Sequence, residues 1–149
     1  MISLTELTRD ILSAFQHDIL YIEQYSFPTP WGLEAFVTEL DRPMSHVWIV
    51  EEDRNLAGYI CFWIVAREIH LMNIAVHPRR RRRGVGSELL GKMTEIGKGA
   101  DVREISLEVR PSNKAARAFY LQAGFQETGR RPRYYDDTRE DALIMAMSL

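Results

Sequence analysis

The sequence predicts one α/β domain spanning residues 1–149. Stretches with apolar residues at helical spacing alternate with stretches rich in Val, Ile, Trp, Tyr and Phe. No linker, repeat or low-complexity segment interrupts them. With 46% apolar residues, a chain of this length can bury a core without disulfide or metal staples.

After a short extended start, Ile11, Leu12, Phe15, Ile19 and Ile22 recur at helical spacing and predict an amphipathic helix running to about Tyr25. Phe27-Pro-Thr-Pro-Trp31 breaks it, and Trp31 to Leu40 reads as a shorter second helix. His46 to Glu51, Leu56 to Ala66 and Ile69 to Val76 form the β-rich part. Separated by Asp53-Arg-Asn55 and by Arg67-Glu68, they read as an antiparallel meander. Val85, Leu89, Leu90, Met93 and Ile96 give a helix over Gly84 to Lys98, which Gly97 and Gly99 are expected to end. A strand over Glu104 to Arg110, a helix over Ser112 to Ala123 capped by Gly124, and strands near Phe125 to Arg131 and Ala142 to Ser148 complete the chain.

Bulk properties exclude several classes of function. Net charge is -2, whereas a protein that lives on nucleic acid is usually basic overall. The one cysteine, Cys61, permits neither an internal disulfide nor a multi-cysteine zinc site, and its apolar surroundings suit a small buried hydrophobe better than a nucleophile. The four histidines, 17, 46, 70 and 77, show no i, i+4 pairing, so no metal site is expected. Charged residues interrupt the first stretch, and no later one is long and apolar enough to cross a bilayer. A cytoplasmic protein without a membrane partner is the expectation.

Against this acidic body stands HPRRRRRGVG, residues 77 to 86, which joins a strand to a helix. A helix N-terminus leaves N–H groups unpaired and carries partial positive charge, so it attracts phosphate. Gly84 and Gly86 let the main chain approach an anion, and Arg81, Arg82 and Arg83 add flanking charge. A small anion such as a pyrophosphate fits this turn. A solvated basic turn and a nucleic-acid contact are the competing readings. No Gly-Lys-Ser/Thr follows, and Leu89 breaks the Gly-x-Gly-x-x-Gly dinucleotide pattern.

Arg81-x-x-Gly84-x-Gly86, preceded by Asn73-Ile-Ala-Val-His-Pro78, resembles the acetyl-CoA signature of the GNAT N-acetyltransferases. Leu107-Glu-Val-Arg-Pro-Ser-Asn113 through Phe125 resembles that family's second half, and its RimI-type branch most. Phe27-Pro-Thr-Pro-Trp31, Arg130-Arg-Pro-Arg-Tyr-Tyr135 and Glu140-Asp-Ala-Leu-Ile-Met-Ala146 resemble further elements of the branch. The resemblance implies a mixed central sheet with splayed middle strands and flanking helices. It implies that the main chain of Ile74 and Val76 binds the pantetheine arm of acetyl-CoA, and that Arg81, Arg82, Arg83, Gly84, Val85, Gly86 and Ser87 cradle its pyrophosphate. The family often has Gln at position 81 and acidic or aromatic residues at 79 and 80. Arg79 and Arg80 here are candidates for the adenosine phosphate of CoA.

Acyl transfer to an amine requires a base for the ammonium, donors for the carbonyl oxygen and a proton for the departing thiolate. Glu108 is a carboxylate inside the apolar run Ile105-Ser-Leu-Glu-Val109, either exposed toward water or Arg110 or held there for chemistry. The resemblance makes Glu108 the base and Tyr120 the acid that also meets the CoA sulfur. It gives the Val76 N–H to the oxyanion and Asn113 to the cofactor, although Asn113 or Ser112 would equally serve as a helix cap. Trp31 and Tyr134 are candidates to wall the amine pocket, with Glu23 a further candidate residue. Asp136, Asp137, Glu140 and Asp141 form either an acidic attraction for a cationic peptide or a solvated loop. The implied partner is a protein N-terminus, that of a small-subunit ribosomal protein beginning with alanine. The enzyme would act as a monomer or weak dimer without direct nucleic-acid contact. A GNAT enzyme for lysines or small amines, and a non-catalytic acyl-CoA or nucleic-acid binder, are the alternatives.

Overall fold

The computed structural model describes residues 1–149 as a seven-stranded sheet with helices on both faces. The elements are β1 (Ile2–Glu6), α1 (Arg9–Gln24), α2 (Leu33–Asp41), β2 (Ser45–Glu52), β3 (Asn55–Val65), β4 (Glu68–Val76), α3 (Val85–Gly99), β5 (Glu104–Val109), α4 (Lys114–Ala123), β6 (Gln126–Arg131) and β7 (Ala142–Ser148). A 3-10 turn over Pro78–Arg80 precedes α3. Strand order is β1-β2-β3-β4-β5-β7-β6, antiparallel throughout except for β4 and β5. A parallel neighbour needs a crossover, and α3 supplies it. The fold is thus the α/β arrangement with a mixed sheet that the sequence predicts.

Period-2 alternation in the meander loads both faces. Ile60 and Phe62 of β3 join Leu89, Met93, Ile105, Leu107 and Tyr120 in a core under α3 and α4. Tyr59 and Cys61 turn the other way, to Leu12, Ile19, Ile22 and Phe36 of α1 and α2. β3 is therefore buried almost from end to end. Phe36 is fully buried, edge-on to Trp31 and Tyr59; truncating it to Ala would cost about 3–5 kcal/mol.

Gly97 departs from the expectation that it ends α3. The helix runs through it to Gly99, and a Cβ at Gly97 would fall 2.8 Å from Ile69 Cδ1. Close packing of α3 on β4 explains this glycine, not chain termination.

Two features divide the sheet. β4 and β5 pair only from Glu68↔Glu104 to Leu71↔Leu107, after which β4 continues to Val76 and β5 to Val109 without a mutual bond. Opposite β3, Cys61 pairs with Asn73 and Phe62 with Leu71, so Met72 is an extra residue and β4 bends there. Beyond the bulge β4 stays with β3 while β5 stays with β7 through Val109↔Leu143. A wedge opens between the middle strands.

Candidate active site

The wedge exposes main chain. His77 N–H bonds to Ala57 O on β3 at 2.7 Å. Strand alternation then points the polar groups of Val76 and Ile74 the opposite way, toward the side that β5 has left. At the end of β4 the chain turns through Arg82 (φ 64) and Gly84 (φ 80), both left-handed, into α3. Glu88 is the first residue of α3 whose N–H finds an internal acceptor, Gly84 O at 3.0 Å. The N–H groups of Val85, Gly86 and Ser87 are unpaired, the donors that a helix start offers to an anion. Gly86 is needed for a second reason: a Cβ there would lie 3.0 Å from the Phe119 ring of α4.

The arginine side chains of the turn divide between internal partners and solvent. Arg80 and Arg83 both pair with Glu52. Arg81 turns back, its Nε 3.2 Å from Val76 O and its Nη2 3.3 Å from Ser26 Oγ, and so ties the turn to the end of α1. Of residues 81 to 83 only Arg82 keeps a side chain free of any internal partner, and Arg79 is equally uncommitted. Arg79, Arg80 and Arg83 line a polar cavity of about 310 Å³ shared with Asp18, Asn55 and His77. Partial burial, then the charges of Arg80 and Arg79, push the His77 imidazole below its ordinary value.

Glu108 opens on the face that carries α1 and α2. Its side chain is 11% exposed, with Oε2 bonded to Nε2 of His70 and Oε1 3.4 Å from Nε of Arg131. It is neither solvated nor paired with Arg110, whose guanidinium instead grips Asp137 at 2.8 and 2.9 Å. Tyr120 lies inside the α3/α4 core, its ring against Phe119 and Phe125, and its hydroxyl makes no hydrogen bond within the protein. Burial pushes that phenol well above its ordinary value, so it holds its proton firmly. Asn113 is the N-cap of α4, its Oδ1 accepting from Ala116 N–H at 3.1 Å. Ser112 is engaged elsewhere, by Glu140.

On the acceptor side, a fully buried carboxylate organises the loop after α1. Glu23 accepts from Trp31 N–H at 3.0 Å, Asn73 Nδ2 at 2.6 Å and the Tyr59 hydroxyl. Burial raises it to about 7, although the Trp31 and Asn73 bonds pull the other way. It links Phe27-Pro-Thr-Pro-Trp31 to β4 just past the bulge. The sequence signal is Glu23 itself, a carboxylate beside Ile19 and Ile22 on the buried stripe of α1. Thr29 of the same loop reaches Asp137 Oδ2 at 3.1 Å, bridging it to the segment between β6 and β7.

The acidic cluster is mostly spent on its own structure. Asp137 and Glu140 face Arg110, Asp141 faces Arg130, and only Asp136 has no internal partner. The expected attraction for a cationic peptide is reduced accordingly. Trp31 is half-buried against Phe36, whereas Tyr134 is 46% exposed and edge-on to Tyr135. Cys61 is fully buried and burial pushes its thiol up to about 12, which fits a core residue and not a nucleophile.

A bent strand that has parted from its neighbour, a helix start with unpaired N–H groups and a shielded carboxylate thus lie around one wedge. The model of the acetyltransferase (GNAT) family matches residues 12–125, and the chain belongs to that family as an N-acetyltransferase. It is 41% identical over 129 residues to a candidate [ribosomal protein bS18]-alanine N-acetyltransferase of Bacillus subtilis, covering 86% of this chain and 85% of that protein. It is 33% identical over 144 residues to the [ribosomal protein bS18]-alanine N-acetyltransferase of Escherichia coli, covering 95% and 93%. The crystal structure of the Escherichia coli ribosomal-protein-S18-alanine N-acetyltransferase superposes with a TM-score of 0.86, covering 99% of this chain and 94% of that one. At 18% identity, a GNAT acetyltransferase of Elizabethkingia anophelis with acetyl-CoA bound shares the fold, with a TM-score of 0.79 over 99% and 98% of the two chains.

Proposed function

We propose that this protein transfers the acetyl group of acetyl-CoA to the α-amino group of a protein that begins with alanine, a small-subunit ribosomal protein of the bS18 kind. The observation that carries the reading is the wedge, with main-chain donors on its β4 side and Glu108 on its β5 side. The names of the Bacillus subtilis and Escherichia coli relatives supply the substrate class.

Acetyl-CoA brings an activated thioester and a pyrophosphate. The unpaired N–H groups of Val85, Gly86 and Ser87, with Arg82, Arg83 and Gly84 before them, suit the pyrophosphate. Arg81 contributes by fixing the turn to α1. Ile74 and Val76 offer their main chain to the pantetheine arm, and the Val76 N–H suits the oxygen on which charge develops. Asn113 holds the start of α4 in place through its cap, and cofactor contact falls to whatever acceptor or donor capacity the cap leaves.

An α-amine has an ordinary pKa of about 7.7–8.0 and is mostly ammonium at neutral pH. Glu108 takes its proton, directly or through a water, and frees the lone pair for attack. Tyr120 gives the departing thiolate its proton: the phenol O–H bond breaks as the S–H bond forms. Burial makes the phenol a weaker acid, so the transfer requires the sulfur beside the hydroxyl in the same dry surroundings, where burial raises the thiolate's basicity too. Trp31 and Tyr134 border the acceptor side, in the loop held by Glu23 and beside the segment held by Arg110.

A peptide with a free N-terminal alanine and one internal lysine, incubated with acetyl-CoA and mapped by mass spectrometry, tests the reading. Acetyl on the alanine nitrogen is the expected result. Acetyl confined to the lysine would assign the protein to side-chain acetylation, and tight acetyl-CoA binding without transfer would make it a sensor.

A further inference from the structure

We propose that His70 is the positioning residue of Glu108: its imidazole holds one carboxylate oxygen and so fixes which oxygen receives the proton. The inference rests on Glu108 being the base.

His70 is on β4 opposite Ser106 of β5, and Glu108 lies two residues beyond Ser106 on the same face. His70 Nε2 therefore meets Glu108 Oε2 across the vertex of the wedge, one residue before the pairing between the strands ends. At 34% exposure the His70 side chain stands between water and a carboxylate that is 11% exposed. The neighbours are few and defined. Trp63 of β3 approaches the imidazole edge-on at 6.4 Å, with its Nε1 held by Glu39 of α2 and its ring under Arg42 at 5.1 Å. Arg131 of β6 faces Oε1 of Glu108 at 3.4 Å, and Tyr135 lies near the same carboxylate. Glu68 and Glu104 share the face farther back, at the starts of β4 and β5.

With Nε2 carrying the proton, the imidazole donates to Oε2 and holds the carboxylate in one orientation. Oε1, whose contact with Arg131 is an ion pair and not a hydrogen bond, keeps the lone pairs that accept from the ammonium. The transfer is simple in its balance: the ammonium N–H bond breaks, a Glu108 O–H bond forms, and the amine keeps the electron pair. The pair thus holds the base in place at the vertex of the wedge.

The test compares the full-length protein with His70→Gln, His70→Ala and Glu108→Gln, by steady-state transfer to the alanine-starting peptide, with kcat and the KM for acetyl-CoA read separately. Gln keeps an N–H donor and so can hold the carboxylate as the imidazole does. His70→Ala is expected to lower kcat by about tenfold or more, the range for a hydrogen bond to a charged group, with KM for acetyl-CoA unchanged. His70→Gln is expected to recover most of that loss. Equal loss in both variants would overturn the proposal. Full activity in His70→Ala would do the same while leaving Glu108 as the base, provided Glu108→Gln is inactive. An active Glu108→Gln would remove the base assignment itself, and this inference with it.

Discussion

Glu23 offers a quantitative test of the buried network behind the acceptor loop. Its carboxylate is fully buried and lifted from an ordinary value of 4.5 to about 7, chiefly by loss of water. In the unfolded chain it ionises near 4.5, so between these values the folded protein binds the extra proton. Stability must then fall as pH rises through that window, by about 3 kcal/mol in full. About 2.5 kcal/mol of it lies between about pH 5 and about pH 8, or about 5–10 °C in Tm for a chain of this length. Glu23→Gln keeps the side-chain length and removes the titration. Denaturant melts of both proteins at the two pH values should show the parent losing that much more than the variant. Parallel losses would refute the reasoning, because they would mean that donation from Trp31, Asn73 and Tyr59 outweighs burial and keeps Glu23 ionised throughout.

Three further outcomes are expected. Tyr120→Phe should lower kcat by about a hundredfold while leaving acetyl-CoA affinity and the melting curve nearly unchanged, since the hydroxyl has no internal partner to lose. Gly86→Ala should raise the KM for acetyl-CoA more than the KM for peptide, because Phe119 must move; Gly91→Ala, with nothing within 4 Å, is the control. Asp137→Ala should raise the KM for peptide and not for acetyl-CoA, by freeing the bridge from Thr29 to Arg110. Asp137 is held down at about 2, mainly by the Arg110 bond, so that bridge is retained above the unfolded carboxylate range and is lost only as pH falls toward 2. Peptide kinetics in the parent across mildly acidic buffers check this second part.

Local chemistry decided much of this protein within the sequence itself. Apolar spacing in residues 11–22 and 85–96 dictates helices with one buried stripe, because side chains three and four apart share a face. The aromatic and β-branched meander dictates strands, and Gly84 with Gly86 marks where the main chain must turn and come close to a partner. Glu108 was legible as a carboxylate where the strand pattern is apolar, and the GNAT resemblance gave that oddity a role. The partners of these residues were not legible. His70 and Glu108 are 38 residues apart, Glu23 and Asn73 50, and Thr29 and Asp137 108. No local pattern encodes such meetings; they exist only once strand order and register are set. The arginine run makes the same point from the other side. As sequence it is five equal positive charges, but Glu52 and the end of α1 occupy three of them and leave two. The bulge at Met72 also arises from pairing: it follows from how β3 and β4 align, and beyond it β4 and β5 part into the wedge.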